Sequence, residues 1–287
     1  MASETEKKSV IQHLHAGDKT TESPRCSFVV TGFGPFAGVS NNPTSTLISC
    51  LRKTAEQLPV RETHILDTSA DAAKQAIQGI YSRLCSGILN KISSRSNLVH
   101  LQADGVDIRA ENHILERDFS IKDIVVMLHI GVNYRGTLMQ LEQCAYNDAT
   151  FRVPDNNDYQ PQLQCILENS TEFGRCLRTT LDLDEICNEL HRQGYTKCCI
   201  SKDAGRFVCN YTYCLSLDQC QSFNDALFVK GGQQSRELVE CHSLFLHVPP
   251  FDKMSETDQM LFIIKLMETI DKSVSKTTRV YDIAELT

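Results

Sequence analysis

The sequence predicts an α/β protein with an open, mostly parallel, twisted sheet sandwiched between helices. Short continuous apolar runs, typical of strands buried on both faces, alternate with segments that repeat apolar residues at helical spacing. This βαβαβ order favours a parallel sheet with helices on both sides. In addition, a long loop rich in Gly and Pro follows the first strand directly. Open α/β sheets bind ligands at that edge, so the loop is a candidate pocket wall.

The elements can be assigned in chain order. Residues 1–24 are polar and aperiodic and are expected to form a flexible tail, while residues 25–287 are expected to form one domain. Strands are predicted at 27–30, 60–66, 124–130, 195–200 and 244–248. Helices are predicted at 43–58, 70–84, 180–191, 211–219 and 255–274. The less regular stretch 85–120 and the polar stretch 221–240 are interpreted as surface insertions.

Composition limits the class of protein. The 287 residues carry a net charge of −7, which argues against a nucleic-acid-binding face. No apolar run approaches the roughly 18 residues of a membrane span, and the polar start lacks the apolar core of a signal peptide. We therefore expect a cytoplasmic protein in which the 13 cysteines are reduced thiols. Cys and His do not fall at zinc-site spacing in the sequence, so no metal or other cofactor is expected.

Cys209 is the strongest candidate for a reactive side chain. It follows an apolar strand-like run and a polar turn that contains Asp203 and Gly205, and it precedes an aromatic-rich helical segment. A thiol at the start of a helix experiences a partial positive charge, which favours the nucleophilic thiolate. Alternatively, Cys209 is one of several buried cysteines without chemistry, since free Cys is among the most buried residue types.

Other polar and aromatic residues stand out against their surroundings. His247 lies in an apolar strand just before Pro249-Pro250, and Glu142 lies among apolar and small residues. A cysteine nucleophile needs a base, and the base needs a group that orients it. His247 could instead be a core residue whose hydrogen bonds are satisfied, as a lone His in a strand often is. Phe33 and Phe36 in the Gly/Pro loop could form the wall of a pocket. Equally, their rings could simply pack the loop onto the core.

Four segments together resemble the pyroglutamyl-peptidase I (pyrrolidone-carboxylate peptidase) family of cysteine peptidases. They occur in the family's order and span residues 27 to about 270. They are Gly32-Phe33-Gly34-Pro35-Phe36 running on to Asn42-Pro43; Glu142-Gln143-Cys144-Ala145-Tyr146-Asn147; Ser201 through Asn210 with Asp203-Ala204-Gly205, Phe207 and Cys209; and His247-Val248-Pro249-Pro250.

The resemblance implies both a fold and a set of roles. It implies an open α/β sandwich, Cys209 as nucleophile, His247 as base and Glu142 as the group that orients His247. The substrate it implies is a peptide with an N-terminal pyroglutamate, which is released through an acyl-enzyme without metal or nucleotide. It also implies a possible homo-oligomer and no nucleic-acid or membrane partner. The substrate-binding residues that it implies are Phe33, Phe36, Asn42, Arg152, Val153 and Val208.

The sequence also departs from the family pattern. Ala37 replaces a glycine, Gln143 stands where a basic residue is usual, and Val132 and Tyr134 replace a glutamine that contacts the lactam and a glycine. These changes concern the pocket, and none falls on the triad. They leave open a second reading, a catalytically impaired member that binds pyroglutamyl or similar N-termini. A third reading, a metal or redox sensor, rests on the cysteine count alone.

Overall fold

The computed structural model describes residues 26–36, 39–101, 123–168, 172–231 and 239–284. The strands are β1 (Cys26–Phe33), β2 (Val60–Leu66), β3 (Asp123–Val132), β4 (Met139–Glu142), β5 (Cys144–Tyr146), β6 (Cys176–Arg178), β7 (Cys198–Ser201) and β8 (Val239–Val248). The helices are α1 (Pro43–Thr54), α2 (Ala70–Leu101), α3 (Leu183–Arg192), α4 (Val208–Gly231) and α5 (Glu256–Ala284), with a short 3-10 turn at Ala55–Gln57.

Six strands form one sheet in the order β2-β1-β3-β8-β4-β7. The first four of these are mutually parallel, and β4 is antiparallel to β8 but parallel to β7. The predicted open, mostly parallel sheet is therefore confirmed. The strands β5 and β6 form a separate antiparallel pair.

Helices cover both faces of the sheet, so the predicted sandwich is also confirmed. On one face, which we call the α5 face, Val30, Leu128 and Leu246 pack against α1, α3 and α5. On the other, which we call the α4 face, Val29, Met127 and Phe245 pack against α2 and α4. Neighbouring residues of a strand point to opposite faces, which is why continuous apolar runs were needed to fill both cores.

Local signals explain where helices begin. Asn42 caps α1 by accepting a hydrogen bond from the Thr44 amide at 3.1 Å, and Pro43 occupies the first helical position. Asp182 caps α3 in the same way, accepting from the Glu185 amide at 2.9 Å. The helix predicted at 180–191 therefore starts at Leu183, three residues later than expected.

Two helices are much longer than the sequence predicts. Helix α2 continues to Leu101 and α4 runs from Val208 to Gly231, so residues 85–101 and 221–231 are helical rather than irregular. Residues 102–120 and 232–238 lie outside the described residues. In the part of the chain that is described, no helix is long and apolar enough to cross a membrane.

Candidate active site

Cys209 lies in the first turn of α4 and is half-buried. The first amides of a helix have no acceptor within the helix, and they carry the positive end of its dipole. Phe207 immediately precedes the helix and has no side-chain oxygen with which to cap those amides. The turn around the thiol therefore offers N–H donors to an incoming oxygen.

A network of polar contacts fixes the loop that leads into α4. Gly205 has a φ of +80°, a conformation that favours glycine, and its amide donates to Asp203 Oδ1 at 3.0 Å. Arg206 donates from Nη1 to the same Asp203 oxygen at 2.6 Å and from Nε to Asp148 Oδ2 at 3.0 Å. Hydrogen bonds to Asp203 and to Asp148 thus fix the conformation of the loop that precedes α4.

Side chains of α4 tie the helix to the segment that carries Glu142. Asn210 Nδ2 donates to the carbonyls of Tyr146 at 2.8 Å and Asp148 at 3.1 Å, and its Oδ1 accepts from the Tyr146 amide at 2.8 Å. The Tyr213 hydroxyl donates to the Glu142 carbonyl at 2.9 Å. These bonds set the position of the thiol relative to the carboxylate.

His247 and Glu142 form a buried pair. Nδ1 of His247 lies 2.8 Å from Glu142 Oε1, and the two residues are 7% and 0% exposed. Burial by itself would lower the pKa of His247. Hydrogen bonds to Cys209 and Glu142, together with their charges, outweigh burial and raise that pKa to about 10. Since Nδ1 faces the carboxylate, Nε2 is the nitrogen that remains for Cys209.

Strand pairing brings these two residues together. Gln140 pairs with His247 and Glu142 pairs with Phe245 across the antiparallel β4–β8 ladder. Glu142 is therefore a diagonal neighbour of His247 on one face of the sheet, close enough for long side chains to meet.

Gly131 provides the space in which the thiol sits. It pairs with His247 across the β3–β8 ladder. A Cβ at this position would lie 2.7 Å from the Phe245 ring and 3.0 Å from Cys209 Sγ. A side chain at position 131 would thus displace either the ring or the nucleophile.

Aromatic side chains from β1, β8 and the Gly/Pro loop pack near His247 and the start of α4. The Phe33 ring is buried, with its centroid 6.3 Å from that of Phe245, which in turn lies 4.8 Å from the His247 ring. The Phe36 ring is half-buried, 6.2 Å from Phe207 and 6.2 Å from Tyr134. Phe33, the last residue of β1, thus belongs to the apolar cluster against which Cys209 packs, whereas Phe36 on the following loop contacts Phe207 just before α4.

The other predicted binding residues occupy different environments. Val208 is fully buried beside Cys209, and Asn42 holds the Gly/Pro loop by donating from Nδ2 to the Gly34 carbonyl at 3.0 Å. Val153 is half-buried and Arg152 is exposed on the loop after Phe151. Within the described residues, no hydrogen bond ties the Arg152 guanidinium to Cys209.

Sequence reasoning missed several residues of the site. Phe245 was interpreted only as strand, and Tyr213 only as helix, although one contacts His247 and the other fixes Glu142. Gly131 directly follows the predicted strand 124–130, and Asn210 ends the segment that begins at Ser201, but neither pattern assigns the residue a role. A sequence signal existed for Gly131, because a glycine that ends a buried strand often marks close approach of another group.

Comparisons with known proteins indicate the family to which the sequence is related. Residues 105–253, slightly more than half of the 287, match a family model described as pyroglutamyl peptidase. The human protein named pyroglutamyl-peptidase 1 is 25% identical over 261 residues, covering 89% of this chain and 96% of that protein.

Solved structures show the same fold. The crystal structure of Bacillus amyloliquefaciens pyroglutamyl peptidase I superposes with a TM-score of 0.55 at 17% identity, covering 88% of this chain and 98% of that one. Pyrrolidone carboxyl peptidase from Thermococcus litoralis superposes with a TM-score of 0.58 at 20% identity, covering 88% and 96%.

Proposed function

Because this chain belongs to the pyroglutamyl peptidase family, we propose that it is a cysteine peptidase that removes pyroglutamate from the N-termini of peptides. Cys209 is the nucleophile, His247 the base and Glu142 the group that orients the base. The observation that carries the proposal is the 2.8 Å bond between His247 Nδ1 and Glu142 Oε1, in a pair where the nearby Cys209 also helps to raise the pKa of His247. This is the arrangement that a nucleophile, a base and an orienting acid require.

The apolar wall suits the proposed substrate. A pyroglutamyl residue is an uncharged five-membered lactam, so a small pocket with aromatic sides and a few polar partners can bind it. Phe33 supplies a ring at the end of β1 and Phe36 a ring on the Gly/Pro loop, and Val208 adds a buried apolar side chain next to Cys209 in the chain. A free N-terminal ammonium or a glutamate side chain would lose its hydration in such a pocket, which disfavours both.

The first step is attack by Cys209 on the carbonyl carbon that joins the lactam to the next residue. His247, protonated at neutral pH, faces Cys209 and balances the charge of its thiolate. The sulfur–carbon bond forms and the carbonyl π electrons move to oxygen. The open amides of the first turn of α4 stabilise this oxyanion, and one such donor is typically worth about 3 kcal/mol.

The second step releases the peptide. The oxyanion collapses, the carbon–nitrogen bond breaks, and the leaving amine takes the proton from His247 Nε2. The product is a thioester between Cys209 and the pyroglutamyl group. His247, now neutral, accepts a proton from water as the water oxygen attacks the thioester carbon. Collapse of that adduct releases pyroglutamate and restores the thiolate and the imidazolium.

The test is an assay with a fluorogenic pyroglutamyl amide on the reduced protein. C209S and H247Q are expected to lower kcat/KM at least about 1000-fold. Each removes one member of the triad, and the members of a triad act together, so loss of one removes most of the catalysis. H242Q and C165S are the matched controls and should keep nearly full activity. Full activity in C209S, or loss of activity in H242Q alone, would refute the assignment.

One observation favours the second reading, a binding protein without turnover. Tyr134 is 44% exposed and its ring packs edge-on against Phe36, one of the proposed substrate-binding residues. A folded wild-type protein that retains a pyroglutamyl peptide but releases no product would support this reading over the peptidase.

A further inference from the structure

Three potential metal ligands lie together outside the triad. The Cys187 and Cys198 sulfurs and a ring nitrogen of His191 all lie within 4.8 Å of one another. Both cysteines are buried in the α5 face of the sheet, whereas Cys209 packs on the α4 face. The group is therefore separate from the site of the proposed peptidase reaction.

The local fold explains why these side chains meet. Cys187 and His191 are four residues apart on α3 and so project from the same side of the helix. The helix ends in a turn at Gly194, whose φ of +92° favours glycine, and the Tyr195 amide donates back to the Leu190 carbonyl at 2.9 Å. The chain then enters β7, and its first residue, Cys198, lies beneath the end of α3.

Two of the three ligand distances are close to those around a tetrahedral zinc ion, and the third, between Cys198 Sγ and the His191 ring nitrogen, is at most 4.8 Å. Zn–S bonds of about 2.3 Å and Zn–N bonds of about 2.0 Å place two sulfurs about 3.8 Å apart and a sulfur about 3.5 Å from a nitrogen. Here Cys187 Sγ lies 3.9 Å from Cys198 Sγ and 3.7 Å from His191 Nε2. An ion between them needs only small side-chain movements.

We propose that Cys187, His191 and Cys198 bind one zinc ion. Two thiolates and a neutral imidazole are a donor set that zinc prefers, and the two sulfur charges neutralise the ion. His191 is exposed, so water can fill the fourth position from the solvent side. The bound ion joins α3 to β7, the strand whose end leads through residues 202–207 to Cys209.

Binding requires a definite exchange of protons and hydrogen bonds. Both thiols lose a proton to solvent, because the thiolate is the ligand. Cys198 Sγ gives up its hydrogen bond to the Tyr195 carbonyl, 3.2 Å away. His191 Nε2, now 3.1 Å from the Cys198 carbonyl, gives up the proton it donates there, and Nδ1 carries the ring proton instead. Zinc affinity should therefore rise with pH.

The experiment uses the full chain with C209S, which removes a competing thiol–imidazole pair. Metal-free, reduced protein is titrated with Co²⁺, followed by Zn²⁺ displacement and metal analysis. We expect one equivalent of metal, with cobalt bands that report tetrahedral coordination and sulfur-to-cobalt charge transfer. Adding C187S, C198S or H191Q should weaken binding at least about tenfold.

The control is C26S in the same background, since Cys26 is another buried thiol of the α5 face. It should bind like the parent. H191Q changes an exposed side chain, so it tests the site even if the buried serines fail to fold. Less than stoichiometric metal in the parent, or equal affinity in folded H191Q, would overturn the proposal. Neither result bears on the peptidase reaction, because the parent already lacks the nucleophile.

Discussion

Glu142 is a fully buried carboxylate, and its environment defines its role. Its Oε1 is bound to His247, while Oε2 has no hydrogen-bond partner among the described residues. A buried charge is costly unless an opposite charge compensates it. A protonated His247 supplies that charge, and the carboxylate in turn helps to raise the pKa of His247 to about 10.

E142Q should therefore shift the pH dependence of the proposed reaction. Burial lowers the pKa of His247, and the amide cannot offset this effect as the carboxylate does. The His247 imidazolium then loses its proton at lower pH. The alkaline limb of the pH profile of kcat/KM should therefore shift to lower pH by at least about one unit. Activity at pH 7 should fall about 100-fold or more. Steady-state kinetics measured from pH 5 to 10 give both the shift of the pH profile and the loss of activity at pH 7.

The matched control for E142Q is E62Q. Glu62 also pairs with a histidine, His64, at 3.0 Å, but on the edge strand β2 and partly exposed to solvent. Its replacement should leave the pH profile unchanged. An unchanged profile in E142Q as well would show that Glu142 does not orient the base.

At the scale of elements, the alternation of β8 decides which histidine can act. His247 lies on the α4 face with Phe245, whereas His242 is five residues away and therefore lies on the α5 face with Leu244 and Leu246. His242 Nδ1 lies 2.7 Å from the Thr180 hydroxyl. The sheet thus separates His242 from Cys209.

Helix α4 depends on Asn210 for its attachment to β5. N210A leaves the Tyr146 amide without the side-chain acceptor that the buried Asn210 supplies and should lower the free energy of unfolding by about 1–3 kcal/mol. The Cys209 thiol should also no longer be held in its place relative to His247. We therefore expect a large decrease in kcat and a smaller change in KM. Urea unfolding and steady-state kinetics measure the two effects.

N188A serves as the control for N210A, because Asn188 is exposed on α3. It should change the free energy of unfolding by no more than about 0.5 kcal/mol. A variant N210A that loses stability but keeps kcat would mean that Asn210 supports the fold without positioning Cys209.

At the scale of the whole molecule, the thiols differ in their surroundings. The sequence has 13 cysteines, whose side chains occupy buried, half-buried and exposed positions. Cys165 and Cys176 are exposed, while Cys214 and Cys241 are buried. Burial raises the pKa of Cys214 to about 12, so that thiol stays protonated and unreactive. Cys209 alone among these five adjoins the His247 ring.

The rate at which each thiol is alkylated should reflect its burial and whether it adjoins His247. With limiting iodoacetamide at pH 7, Cys209 should be modified about tenfold faster than Cys165 or Cys176, in step with loss of activity. Cys214 should remain unmodified while the protein is folded. Peptide mapping by mass spectrometry measures the order. H247Q should abolish the preference, and inactivation that follows Cys165 instead would contradict the assignment.

Local patterns in the sequence determined the order of the main elements, the position of Cys209 at a helix start and the family. Apolar periodicity predicted the order of the main strands and helices, because burial imposes periods of 2 and 3.6 on neighbouring residues. The turn before Cys209 predicted a thiol at a helix start, and the structure confirms that placement. The family followed from four short segments in order, and the matching family model confirms it.

Only the tertiary structure decided which of these residues meet. Glu142 reaches His247 across 105 positions of sequence because β4 runs antiparallel beside β8, and no local pattern encodes strand order. The lengths of α2 and α4 also escaped prediction, because the apolar periodicity of both helices is weak. The Cys198 sulfur reaches Cys187 and His191 through a turn and a strand, which is why the spacing along the chain did not reveal a zinc site.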